Sequence, residues 1–258
     1  MENQNIDREK YNRLLEIWQA ASELNVKQLG NRFLMPLVPL EITKGSLLFI
    51  GLNPSFNTEY VKKALSDIED DVKAYFDWSN EDVEAYFDWS NKDNFKPELD
   101  AQLTYVAKAK YPYFRKFREI AHVLGYKWDH CDLFFFRETS QRRFFPKILK
   151  RRTTLNEFGR KQLSIAFEMI DKAKPTSIII ANAFASDLYL RERKQRISFN
   201  PEKGCYYESH GSKQIPVFFS SMLTGQRALD SHSYRRLVWH IGHVFGEKID
   251  VTSLPKSK

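Results

Sequence analysis

An asparagine held between a glycine and a proline is the part of this sequence best suited to chemistry. The segment Gly51-Leu52-Asn53-Pro54-Ser55 follows a short apolar run, Leu47 to Ile50. Pro54 fixes its own φ at about −65° and pushes Asn53 toward an extended backbone. Gly51 allows the chain to turn or to approach a ligand closely. A polar amide is thereby held stiffly just past a strand. An amide can orient a water molecule or the polar edge of a substrate, but it is no strong general base.

Other chemistries find little support. His240 and His243 stand three residues apart, outside the His-Glu-x-x-His pattern of zinc peptidases, and read as surface or second-layer residues. The two cysteines, Cys131 and Cys205, fit no Cys-x-x-Cys spacing, which argues against a zinc site, an iron–sulfur cluster or a disulfide scaffold. No Gly-x-Gly-x-x-Gly and no Walker A sequence occurs. No metal and no cofactor are expected.

The elements that must position Asn53 follow from periodicity. Leu47–Ile50 reads as a strand buried on both faces. Further strands are expected at Cys131–Phe136, Ser177–Ala181 and Ile215–Ser220. Helical spacing is present over 7–24, 112–124, 155–173 and 184–193, and again from Asp230 through Val244. Gly125 and Pro175 supply stop signals. Short apolar strands alternating with helices argue a three-layer α/β/α fold around a four-stranded parallel sheet of order 2-1-3-4. The loops at 51–57, 137–141, 182–184 and 220–227 then share the carboxyl edge, where open α/β sheets bind ligands.

The chain has 258 residues, 42% of them hydrophobic, and a formal charge of +7. A single domain over 1–258 is expected, with a helical extension at 1–44 and an acidic insert at 59–100. No apolar run approaches the roughly 20 residues of a membrane span. Met1–Asn5 lack a basic-then-apolar signal pattern, so a cytoplasmic monomer without membrane contact is expected. The basic surplus favours polyanion partners. Basic residues cluster at Arg142-Arg143, Lys147, Lys150 to Arg152 and Arg191 to Arg196, with Phe144 and Phe145 beside them. These read either as base-stacking basic patches or as solvated faces with core aromatics.

The insert holds a tandem repeat. Asp71 to Asn80 recurs at Asp82 to Asn91 with one substitution, Lys73 against Glu84, at a period of 11. Two copies are too few for a solenoid. The segment reads as a duplicated surface insertion or as a protein-partner site over 71–94 with Phe and Trp anchors.

The strand order and the Gly51-Leu52-Asn53-Pro54-Ser55 loop resemble the uracil-DNA glycosylase superfamily. That family's first motif is a Gly-x-Asp/Asn-Pro loop, and the Asn form is nearest to the mismatch-specific and thymine-DNA glycosylases. The resemblance spans residues 45–245. It implies an enzyme of DNA repair, or of defence against modified DNA, that flips a damaged, mismatched or modified base and hydrolyses its N-glycosidic bond. Asn53 would orient the attacking water. Gly51, Leu52, Pro54, Ser55, Phe56, Arg137 and Thr139 would line the base site. Arg142, Arg143, Ser221, Met222, Leu223, Gln226, Arg227 and His232 would meet DNA, duplex or single-stranded. Among these, Met222 and Leu223 read either as a minor-groove wedge or as core beneath the last helix. Glu138 reads as a surface carboxylate or as a catalytic base.

The chain departs from the family at two loops. Ser220 to Arg227 contains no His or Pro where the family has His/Asn-Pro-Ser, and Arg137-Glu138-Thr139 stand where an Asn reads the base. A catalytically inactive nucleic-acid- or nucleotide-binding protein of the same fold is therefore the alternative.

Overall fold

The computed structural model describes residues 2–21, 36–55, 112–225, 227–252 and 254. Phe56, Gln226 and the duplicated segment lie outside them. Helix α1 spans Glu2–Ala21 and strand β1 Leu47–Gly51. A 3-10 turn at Pro112–Phe114 leads into α2, Arg115–Leu124, followed by β2, Trp128–Asp132. Helices α3 and α4 span Gln141–Ile148 and Glu157–Ala173. Then come β3 at Ser177–Ala181, α5 at Ala183–Glu192, β4 at Ile197–Asn200, β5 at Cys205–His210, β6 at Lys213–Ser220 and α6 at Ser231–Phe245. No helix among the described residues is long and apolar enough to cross a membrane.

The backbone divides into two compact units. One draws its described residues from 1–41, 53–110 and 133–167, the other from 42–52, 111–132 and 168–258.

The second unit holds the sheet, ordered β2-β1-β3-β6-β5-β4. β1 lies parallel between β2 and β3, and β6 runs parallel to β3. β1 and β3 are central because Leu-Leu-Phe-Ile-Gly and Ser-Ile-Ile-Ile-Ala present nothing that needs water, and every residue of both is buried. Phe49, Phe117, Ile179, Phe218, Val238 and Ile241 build the core between the sheet, α2 and α6. Gly125 ends α2 in the left-handed conformation at φ 71°, which costs glycine least.

The expected parallel order holds for β2, β1, β3 and β6, but the sheet is mixed. β5 and β4 add an antiparallel hairpin to β6. Its period-two signal was masked because the residues facing inward include Glu208, which is fully buried. The second strand also lies earlier than its apolar run suggests, at Trp128–Asp132 instead of Cys131–Phe136.

The reason lies in the first unit. Leu133 to Phe136 are buried there without strand pairing. The buried Gln162 Oε1 accepts from the N–H groups of Phe135 and Phe136 at 2.9 and 3.0 Å, taking the place of a ladder partner. Phe136 stacks on Phe144 with ring centroids 4.9 Å apart, so Phe144 belongs to the core and offers no face to a base.

Candidate functional site at the carboxyl edge of the sheet

In the sheet-bearing unit the carboxyl edge is built from small residues around one acid. Gly51 pairs with Asp132 across β1 and β2, and Ala181 pairs with Ser220 across β3 and β6. Ile50 pairs with Ile180 one residue earlier, so the four form a row. Their side chains share the face that carries Phe49 and Phe218, because strand residues two apart point the same way. Gly, Ala and Ser put little side-chain bulk beside the Asp132 carboxyl at this end of the face.

Gly51 is required by that carboxyl. A Cβ on Gly51 would collide with Asp132 Oδ1 and lie 3.0 Å from His130 Nε2. His130 and Asp132 stand two apart on β2 with Nε2 and Oδ1 separated by 3.6 Å, too far for a hydrogen bond. The His130 ring packs among Phe114, Phe117 and Tyr113, with centroids 5.1, 5.7 and 6.0 Å away. Burial pushes the Asp132 carboxyl up to about 8 and the His130 imidazole down to about 4. At pH 7 the contact is thus between a protonated acid and a neutral imidazole, and it is no ion pair. On these strand ends and the loop after β6, three buried polar atoms have no hydrogen-bond partner among the described residues: His130 Nε2, Ser220 Oγ and Thr224 Oγ1. Buried polar groups are ordinarily hydrogen-bonded, so unpaired ones at an edge suit a polar ligand.

In the other unit Asn53 acts as a staple. Its Nδ2 donates to Glu138 O at 2.7 Å and to Pro54 O at 3.2 Å, and Glu138 N donates to Pro54 O at 3.1 Å. Half of the amide is therefore committed to holding the loop at 137–140, and Oδ1 accepts nothing from the described residues. Glu138 is neither an exposed carboxylate nor a free base. Burial alone would raise it, but the Ser140 N–H, Arg143 and Lys147 outweigh that and hold it below the usual carboxylate range. Arg143 reaches it at 3.1 Å and Lys147 at 3.4 Å.

The remaining expected site residues divide by burial. Leu52, Pro54 and Arg137 are buried, whereas Ser55, Thr139, Arg142, Ser221, Arg227 and His232 are exposed. Leu223 is 4% exposed and packs in the core with Phe218, Tyr234 and Val238, so it is not available as a wedge; Met222 is half-buried. His240 is a packing residue, with Nε2 2.8 Å from Lys203 O.

Sequence reasoning missed Asp132, His130 and Ser220. The readable signal was the alternation His130-Cys131-Asp132 just before the apolar run, which places two titratable groups on one face of a strand.

Asp171, Glu208 and His210 bring potential metal-ligand atoms within 4.8 Å of one another. Arg193 and Arg196 each stand 3.0 Å from Asp171, and they lie 3.3 and 3.7 Å from Glu208. Tyr189 donates to Glu208 at 2.6 Å. Two guanidinium groups already balance the two carboxylates, so the cluster reads as a closed charge network and not as a cation site.

No protein-family model matches this chain, and no curated protein sequence matches it.

Proposed function

We propose that this chain is a DNA glycosylase that hydrolyses the N-glycosidic bond of a damaged, mismatched or modified base flipped from DNA. The observation that carries the proposal is the Asp132 carboxyl, held protonated at neutral pH beside Gly51 on an edge of small residues. A flipped base presents neighbouring donors and acceptors on its pairing edge. A neutral carboxyl offers one O–H and one C=O side by side and matches such a pair.

The same group suits the reaction. As the bond to the sugar breaks, the sugar acquires oxocarbenium character and charge builds on the base. Asp132 gives its proton to the departing base, which leaves neutral. Water adds hydroxide to the anomeric carbon, and the proton it releases restores Asp132. In the other unit, Asn53 keeps Oδ1 as an acceptor while its Nδ2 is occupied by Glu138 O. That occupation is also what favours the second reading, a nucleic-acid- or nucleotide-binding protein of the same fold that performs no chemistry.

The test is abasic-site formation on oligonucleotides bearing uracil, hypoxanthine, xanthine or modified cytosines. Wild type should release at least one of these, with activity falling as pH rises through about 8, where Asp132 loses its proton. Asp132→Asn should lose on the order of 10²-fold and the alkaline limb with it. Binding without release from any oligonucleotide would favour the non-catalytic reading. Release by Asp132→Asn at the wild-type rate would remove Asp132 from the mechanism.

A further inference from the structure

α6 carries two different faces. Tyr234, Val238 and Ile241 are buried against the sheet. His232, Arg235, Arg236, Trp239 and His243 recur at spacings of three and four on the other side. Of these, Arg235 is half-buried and the other four are exposed. The helix contains no acidic residue. No carboxylate pairs with Arg235 or Arg236 among the described residues, and Arg236 donates only to Ser233 Oγ at 3.2 Å. Trp239 is 50% exposed. Its indole lies parallel to the His243 imidazole at 5.0 Å and 6°, so one face is braced while half of the residue's surface stays open. Toward the end of the helix Trp239 and His243 line a cavity with Glu247, Lys248 and Asp250, and toward its start the indole adjoins Arg235 and Arg236; that cationic side fits a polyanion that also carries flat rings.

We infer that the solvent face of α6 is a track for single-stranded DNA, with Arg235 and Arg236 taking phosphates and Trp239 stacking on an unpaired base. This deepens the glycosylase reading and rests on it only for the identity of the polyanion. Two observations select a single strand over a duplex. A base offers its face to an indole only when it is unstacked. Proteins that kink a duplex frequently insert an apolar side chain between base steps, and of the two apolar residues after β6, Leu223 is locked in the core and Met222 is half-buried. α6 follows β6 after the loop at 221–230, which joins the track in sequence to the strand that ends at Ser220.

The experiment is fluorescence anisotropy of labelled oligonucleotides, single-stranded and duplex, across a salt series, with base release measured separately. Wild type should prefer single strands. Arg235→Ala with Arg236→Ala should flatten the plot of log affinity against log salt by about 1 to 2, because each phosphate contact contributes about 0.7 on single strands. Trp239→Ala should weaken single-strand binding on the order of tenfold at every salt with the slope kept, and Trp239→Phe should recover most of it. Arg236 and Trp239 are exposed and Arg235 is half-buried, so melting temperatures should stay near wild type, and Arg236→Ala alone, with about half the change in slope, guards against a folding artefact.

Wild-type slopes and affinities in both variants would overturn the track. So would equal losses on duplex and single strands, a loss confined to anionic phospholipid vesicles, or failure of wild type to bind any oligonucleotide. The two readings fail separately. Variant effects as stated without base release would sink the glycosylase and leave the track standing. Base release with an unchanged KM in both variants would sink the track and leave the glycosylase.

Discussion

Asp132 Oδ1 and His130 Nε2 face each other at 3.6 Å on one side of β2, and burial moves their proton affinities in opposite directions. Both groups are neutral between pH of about 4 and about 8. A charged pair here would have to be desolvated beside Gly51 and the rings of Tyr113, Phe114 and Phe117. The neutral pair avoids that cost and retains a proton that a ligand can use.

The pair sets a pH signature for stability. Asp132 binds its proton more tightly folded than unfolded, so its contribution falls as pH rises from about 4 to about 8. His130 binds its proton less tightly folded, so its contribution rises between pH of about 4 and 6.5. The two oppose each other up to pH 6.5, above which Asp132 acts alone. Chemical denaturation should show stability dropping between pH 6.5 and 8 in wild type. Asp132→Asn should flatten that drop. A variant that keeps the wild-type decline would assign it to other groups.

Gly51→Ala tests the close approach of β1 to β2. The new Cβ meets Asp132 Oδ1, a short side chain with little freedom to retreat. The expected loss is about 1–3 kcal/mol, read as a lowered denaturation midpoint. The double variant Gly51→Ala with Asp132→Ala should recover part of it. No recovery would place the strain in the backbone of β1.

Gln162→Leu should be more damaging than its position on a helix suggests. It removes the acceptor of two buried N–H groups, Phe135 and Phe136. Leaving both unsatisfied costs about 2–5 kcal/mol. Gln162→Glu keeps both acceptor bonds and should be milder near pH 5 than at pH 8, where the buried carboxylate is charged. Equal losses in the two variants would show that packing, and not acceptance, is what Gln162 provides.

These residues also mark where the sequence was readable. β1 and β3 were legible because a strand buried on both faces is a continuous apolar run. The last helix was legible because Asp230 caps it, accepting from His232 N and Ser233 N at 2.8 and 3.0 Å, just ahead of a periodic stripe. The β4–β5 hairpin was not, because Glu208 faces inward and is stabilised by Arg193 and Tyr189, partners that no local pattern announces. β2 was misplaced for a related reason. Leu133 to Phe136 looks like a strand, but a glutamine 26 residues away holds it in another conformation. The shift leaves Asp132, and not Arg137 or Thr139, at the end of β2.

Asn53 separates holding from chemistry. Its Nδ2 fixes Glu138 O, and only Oδ1 is left for a water molecule. Asn53→Ala removes both functions, whereas Asn53→Asp removes the donor and keeps an acceptor. Asn53→Ala should lose about 1–2 kcal/mol because Glu138 O is left without that donor, and Asn53→Asp should lose at least as much because a carboxylate oxygen then faces that carbonyl. Base release should then split them. Asn53→Ala should fall on the order of 10²-fold, as for deletion of one preorganised polar group, and Asn53→Asp should fall much less. Single-turnover rates set beside melting temperatures make the comparison. Equal falls that track stability would leave Asn53 as the staple of the 137–140 loop alone.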